Sequence, residues 1–254
     1  MNCASVSYVE RRRTEGFIIV AGVSRWWVQD TATATTTWGD IGNWDVSGVA
    51  DFSHAFSKDR DQAGGGALQC DNPKAATFVG TAISKWITTS ATNLYNMFRS
   101  AGEMNADLSG WTVAKVTNLH STFRGASKFA GTGLESWNTE SVNDLYKTFN
   151  EAKAMNVDLS KWSVAKVTNL KQTFQGASKF RGVGLASWNI AKVTAEFTMF
   201  WAFDSAFSIT SCSKRKIADA WKSNSAFATW DTAWAADACP PLTETAFKQA
   251  SWGT

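Results

Sequence analysis

Apolar residues in this chain recur as a fixed two-part figure. The first part reads apolar–x–x–Trp–x–apolar or small. It occurs as Leu108, Trp111, Val113; Leu134, Trp137, Thr139; Leu159, Trp162, Val164; and Leu185, Trp188, Ile190. Upstream, Ile41, Trp44, Val46 and Ile83, Trp86, Thr88 fit the same figure. This is the spacing of a leucine-rich-repeat strand with Trp in the middle slot. The second part is Val116, Leu119, Phe123, Ala126 and then Phe129. Leu119, Phe123 and Ala126 stand at i, i+4 and i+7, which predicts a short helix. Gly125, Gly131 and Gly133 in one copy, and Gly176, Gly182 and Gly184 in another, mark turns.

The figure is a repeat. Trp44, Trp86, Trp111, Trp137, Trp162 and Trp188 are spaced by 42, 25, 26, 25 and 26 residues. From Trp86 on, every second one recurs at 51, and 112–138 matches 163–189 at 20 of 27 positions. This is a tandem duplication of a two-repeat unit. A single unit has its apolar residues on one side and cannot close a core, so units must stack. The expected fold is α/β: a leucine-rich-repeat-like solenoid of about six strand-plus-short-helix coils of 25–26 residues with terminal caps. Its core is expected to hold the six tryptophans with Phe98, Phe123, Phe149 and Phe174. Residues 1–37 read as an N-terminal segment and candidate cap, with 23–30 (VSRWWVQD) as its amphipathic part. The repeats run over 38–200, with an insertion at about 58–76 that accounts for the long first spacing. Residues 201–254 read as a C-terminal cap, closed by a helix over 213–224 with Ile217 and Trp221 facing inward.

The stretch WDVSGVADFSHAF (44–56) resembles the repeat of the BspA-like leucine-rich repeat surface proteins, the Mycoplasma-lipoprotein-type repeat of unknown function. MNADLSGWTVAKVTNL (104–119), MNVDLSKWSVAKVTNL (155–170), NLYNMF (93–98) and the lead-in TWGDIGNWDVS (37–47) are similar to the same repeat. The likeness covers about 38–200. WDVS is kept once and becomes WTVA, WNTE, WSVA and WNIA, and two units carry FAGTGLES and FRGVGLAS in place of FNxDLS. These changes spare the framework and alter exposed positions. The resemblance implies a cell-surface or secreted array for adhesion or protein interaction, and no catalytic residues.

Composition narrows the classes. The chain has 254 residues, 44% of them apolar, and no apolar run near the ~18–20 residues that span a bilayer. A net charge of +3 without a Lys/Arg stripe argues against nucleic-acid binding. Arg11, Arg12 and Arg13 precede FIIVAGV (17–23), and three readings stand open: a minimal export signal, a short strand or helix end, or a poorly defined N-terminus. No HExxH, CxxC, GxSxG or P-loop occurs, so neither a cofactor nor a metal is expected. His54 and His120 read as one shared solvent-facing offset, because Lys171 stands at the counterpart. Asp59, Asp61 and Gly64 echo a calcium loop. Ala63 and Cys70 stand where oxygen ligands are required, so no site is expected there. Asp107 and Asp158, with Asn105 and Asn156 beside them, read as turn acceptors rather than paired catalytic carboxylates.

Cys212 and Cys239 are expected to close a disulfide in an oxidising compartment, across a segment that also carries Trp221, Trp230 and Trp234. Cys3 and Cys70 have no evident partner. The residue after each Trp reads Asp45, Ile87, Thr112, Asn138, Ser163 and Asn189 down the array. Thr112, Asn138, Ser163 and Asn189 make this the candidate binding face, a shallow hydrogen-bonding surface for a protein or glycan. The leading expectation is a monomeric, non-enzymatic, extracellular or cell-surface interaction protein. An intracellular scaffold, or an enzyme with a site in the insertion or the C-terminal segment, are the alternatives.

Overall fold

The computed structural model describes residues 30–58 and 73–239. Helix α1 is Thr31–Trp38, capped by Asp30, whose carboxylate accepts from Thr33 N–H at 3.1 Å. Helices α2 (Ser211–Trp221) and α3 (Ala228–Ala235) lie at the other end. Between them the chain stacks repeat upon repeat, almost entirely through turns.

The expected α/β solenoid of strand-plus-helix coils is not formed. Among the described residues there is no strand. Adjacent repeats meet at single parallel bridges, Asp51 to Asn93, Asn93 to Asn118, Asn118 to Asp144 and Asp144 to Asn169. The expected short helix is absent too, although Leu119, Phe123 and Ala126 all point into the core. The reason is a left-handed residue two positions after the Leu-type residue of each repeat: φ is 57° at His54, 54° at Asn96, 55° at Ser121, 56° at Lys147, 56° at Gln172 and 56° at Trp201. Most repeats add a second one two positions after the Phe, as at Ser100, Gly125, Glu151, Gly176 and Ser205. A left-handed residue ends both helix and strand. The N–H groups then serve the next repeat instead of residue i−4: Ser121 N–H donates to Tyr146 O at 2.8 Å and Phe123 N–H to Thr148 O at 3.0 Å. The bridge Asp or Asn opens the following turn, its side chain accepting from the N–H two residues on, as Asn118 does from His120 at 2.8 Å.

Inside the stack the rings form two files. Phe56, Phe98, Phe123, Phe149, Phe174 and Phe203 follow one another at 5.6–5.7 Å between centroids. Trp86 stacks on Trp111 at 6.1 Å, Trp137 on Trp162 at 6.2 Å and Trp162 on Trp188 at 6.4 Å. Successive repeats alternate between two builds. One carries Asp before the apolar residue (Asp40, Asp107, Asp158). The other carries a left-handed glycine followed by a 3-10 turn: Gly80 before Thr81–Lys85, Gly133 before Leu134–Ser136 and Gly184 before Leu185–Ser187. The second build also adds a Phe that stacks on the Phe file within its own turn, Phe123 on Phe129 and Phe174 on Phe180, both at 4.4 Å. Phe56 and Phe78 make the same contact at 4.2 Å although 22 residues separate them, against six for the other pairs. The insertion therefore leaves from and returns to an ordinary repeat position.

Helices α2 and α3 close the C-terminal end. Ile217, Ala218 and Trp221 of α2 are buried, and Phe227 and Trp234 join them. Trp221 lies 6.2 Å from Phe203, between centroids, at the end of the Phe file. Asn224 ties the cap to the last repeat, its Nδ2 donating to Ile190 O and Val193 O at 3.0 Å each. Of the expected N-terminal cap, residues 23–29 lie outside the described residues.

Candidate functional site

The ten core rings named from the sequence, Trp44, Trp86, Trp111, Trp137, Trp162, Trp188, Phe98, Phe123, Phe149 and Phe174, are all buried. Each Trp from Trp86 to Trp188 also does something the spacing does not reveal. Its indole N–H donates to the carbonyl of the apolar residue three before the Trp of the preceding repeat: Trp86 to Ile41 (2.8 Å), Trp111 to Ile83 (3.0 Å), Trp137 to Leu108 (3.3 Å), Trp162 to Leu134 (2.8 Å) and Trp188 to Leu159 (3.0 Å). Trp221 of the cap makes a related bond, donating to the carbonyl of Trp188 itself at 3.2 Å. Buried Thr122, Thr148 and Thr173 make a parallel set of ties to Leu94 O, Leu119 O and Leu145 O, each at 2.9 Å.

The candidate binding face is a row of turns. Thr112, Asn138 and Asn189 are exposed and Ser163 is half-buried. The Asn138 and Asn189 side chains accept from Glu140 N–H (3.0 Å) and Ala191 N–H (3.1 Å), so their oxygens already serve the backbone. The Thr112 and Ser163 carbonyls accept the Thr88 and Thr139 hydroxyls of the preceding repeats. Asp107 and Asp158 accept from Ser109 N–H (2.9 Å) and Ser160 N–H (2.8 Å). The Ser109 hydrogen bonds hold the Asp107 carboxyl below its ordinary pKa. Asn105 and Asn156 reach the next repeat, accepting from Ala130 N–H and Arg181 N–H. No group of three or more His, Cys, Asp or Glu that could hold a metal occurs among the described residues. Asp59, Asp61, Ala63, Gly64 and Cys70, like Cys3, lie outside the described residues.

The two histidines are not equivalent, which corrects the shared-offset reading. His54 stands two positions after Phe52, at a left-handed and buried site, whereas His120 follows directly on Leu119. Cys212 and Cys239 form a disulfide with their Cα atoms 4.3 Å apart.

The sequence reading missed a stripe on another side of the stack. The residue after the Leu-type position reads Ser53, Tyr95, His120, Tyr146, Lys171 and Phe200 down the array. The following, left-handed position reads His54, Asn96, Ser121, Lys147, Gln172 and Trp201. Because the repeats stack in register, the rings meet edge to face: His54 with Tyr95 at 5.0 Å, Tyr95 with His120 at 4.8 Å and His120 with Tyr146 at 4.5 Å. Lys147 Nζ lies 4.8 Å from the Tyr146 centroid, and His120 Nδ1 lies 3.6 Å from Asp144 Oδ2. The stripe ends at Phe197, Phe200 and Trp201, all exposed, with centroids 6.5 Å apart for Phe197 and Phe200 and 4.3 Å for Phe200 and Trp201. Aligning the repeats on Leu119 and reading the next two columns would have found it.

No helix among the described residues is long and apolar enough to cross a membrane. Neither the curated proteins nor the solved structures offer a match to the chain. The family model described as "Mycoplasma protein of unknown function, DUF285" matches residues 28–65, 72–133 and 119–234. With most of its length matched in the stretches that build the stacked repeats, the chain belongs to this Mycoplasma-type repeat family.

Proposed function

We propose that the protein is a non-enzymatic interaction module, secreted or held at the cell surface, that binds a protein or glycan partner along its aromatic stripe. The observation that carries this reading is the run Tyr95–His120–Tyr146, partly exposed rings set at 4.5–4.8 Å by the stacking of the repeats. Tyrosine offers an apolar ring with a polar tip and anchors interfaces at low entropic cost. The resemblance of the repeat to BspA-like surface proteins supports an extracellular setting by analogy. The Cys212–Cys239 disulfide supports it on chemical grounds, since such bonds persist in oxidising compartments.

The test uses the full chain against a panel of immobilised glycans and extracellular-matrix proteins. The Tyr95→Ser/Tyr146→Ser variant should lose about tenfold or more in binding to whatever the parent retains, which corresponds to ~1.4 kcal/mol. Its melting temperature should change little. Undiminished binding by this variant overturns the stripe as the site. An intracellular scaffold would instead be indicated if Cys212 and Cys239 alkylate as free thiols in protein taken directly from cells.

A further inference from the structure

The last repeat departs from the others at one place. Val116 to Phe123, Val142 to Phe149 and Val167 to Phe174 are each seven residues apart, whereas Val193 to Phe203 is ten. The ladder locates the three extra residues. Leu145 N–H donates to Asn169 O, but Leu170 N–H donates to Thr198 O, so Ala195, Glu196 and Phe197 are added ahead of the paired position. From there the register is ordinary. Gln172 N–H meets Phe200 O as Lys147 N–H meets Lys171 O, which puts Phe200 in the place of Lys171 and Trp201 in the place of Gln172. Met199, Ala202 and Phe203 fill the core positions of this repeat. Phe197, Phe200 and Trp201 therefore take no part in the core. They are 65%, 43% and 48% exposed, and Phe207, further along the same repeat, is 83% exposed. Trp201 moreover sits at φ 56°, a conformation that bulky side chains rarely adopt.

Charge is concentrated in the same part of the chain. Residues 161–222 carry ten Lys or Arg and three Asp or Glu, a net +7, so the rest of the chain sums to −4 against the total of +3. Lys171 precedes Phe200 in its column, and Lys147 stands two repeats before Trp201 in the adjoining one. The carboxylate of this turn, Asp204, is engaged by Gln175 Nε2 at 3.1 Å and Ser205 Oγ at 3.5 Å.

From this pairing of protruding rings with Lys171 in the preceding repeat, within a segment of net positive charge, we infer that the last repeat is a membrane-contact site, which seats Phe197, Phe200 and Trp201 in the interfacial layer of an anionic bilayer. Phe cannot hydrogen-bond to a sugar or a peptide, and a wedge of exposed Phe gains most by leaving water for the headgroup–acyl boundary. Trp favours that boundary, and Lys adjoining it is attracted by anionic headgroups. The site is the end of the stripe two repeats beyond Tyr146, and it is tested with vesicles rather than with the protein and glycan panel, so either reading can fail without the other.

The experiment is co-sedimentation of the full chain with phosphatidylcholine vesicles, with and without about one third phosphatidylglycerol. The parent should sediment with the anionic vesicles and at least tenfold less with the neutral ones. The decisive variant is Phe197→Ser/Phe200→Lys/Trp201→Gln, which restores at two positions the residues of the preceding repeat and adds a positive charge. It should melt like the parent yet bind anionic vesicles about tenfold more weakly. A Lys147→Glu/Lys171→Glu variant should also weaken binding. The inference is overturned if the parent sediments with neither vesicle, or if the ring-deleted variant binds as well as the parent. Binding of the parent to an acidic polysaccharide but not to vesicles overturns it equally.

Discussion

The indole N–H of Trp162 donates to the carbonyl oxygen of Leu134 at 2.8 Å, and the same oxygen accepts the backbone N–H of Trp137 at 3.2 Å. One carbonyl thus closes the turn of its own repeat and receives the ring of the next. Leucine or phenylalanine in the Trp slot would fill space but leave that oxygen short of one partner. Trp162→Phe should therefore cost ~1–3 kcal/mol beyond its volume change, because a buried acceptor loses a donor. Trp162→Ala should cost ~3–5 kcal/mol. Denaturant melts decide, and a Phe variant as stable as the parent would remove the indole bond from the account.

Gly133 makes the contact between the two repeat builds. Its φ is 95°, and a Cβ there would lie 2.1 Å from Ser109 N, inside the Asp107–Ser109 turn of the preceding repeat. Gly39, at φ 79°, has nothing within 4 Å. Gly39→Ala should cost roughly 1–3 kcal/mol for the backbone conformation alone, φ 79° with ψ 179°, which only glycine adopts readily. Gly133→Ala should cost roughly 2–5 kcal/mol, since a backbone clash is added. Equal melting of the two variants would contradict the close approach.

The left-handed positions also make a prediction of opposite sign. Lys147 and Gln172 hold φ near 56° without the freedom of glycine. Lys147→Gly and Gln172→Gly should each stabilise by roughly 1 kcal/mol, less what glycine loses in the unfolded chain. Glycine inserted into a repeat helix would destabilise instead, so thermal melts separate the turn from the helix first expected.

Asp107 sets a pH dependence. Its folded pKa lies below the unfolded value because Ser109 hydrogen-bonds the charged form. A group shifted downward contributes its stability above the unfolded pKa, about 3.9, and loses it as pH falls through the lower folded pKa. Acid melts of Asp107→Asn should show a smaller loss over that window than the parent. Asn can keep the same backbone acceptor. A loss as steep as the parent's would assign the acid sensitivity elsewhere.

The repeat phase was legible because large rings recur at a fixed spacing, and only a packed file of rings demands that. The backbone joining them was not. Leu119, Phe123 and Ala126 stand at helical spacing, yet a turn bent at left-handed Ser121 and Gly125 sends the same three side chains inward. Ser, Lys, Gln and Trp occupy that left-handed column without a glycine to announce it. Likewise, turns closed by Trp111 N–H on Leu108 O and Trp137 N–H on Leu134 O bury the Trp slot as a strand would. The stripe escaped for a different reason: Tyr95, His120, Tyr146 and Lys171 share no residue type, and only their register unites them.

The central claim is that two alternating repeat builds form one 51-residue unit. Deleting Thr112–Trp162 removes one whole unit and leaves every remaining contact of the Gly133 and Gly184 type with its partner build. Deleting only the 26 residues Thr112–Trp137 removes fewer contacts, but sets the Met104–Trp111 and Met155–Trp162 builds against each other. Chemical denaturation of the two products is the direct measurement. The 51-residue deletion should melt cooperatively and be the more stable of the two, although it loses more chain. A 26-residue deletion that is as stable as the 51-residue one, or more stable, would contradict the account.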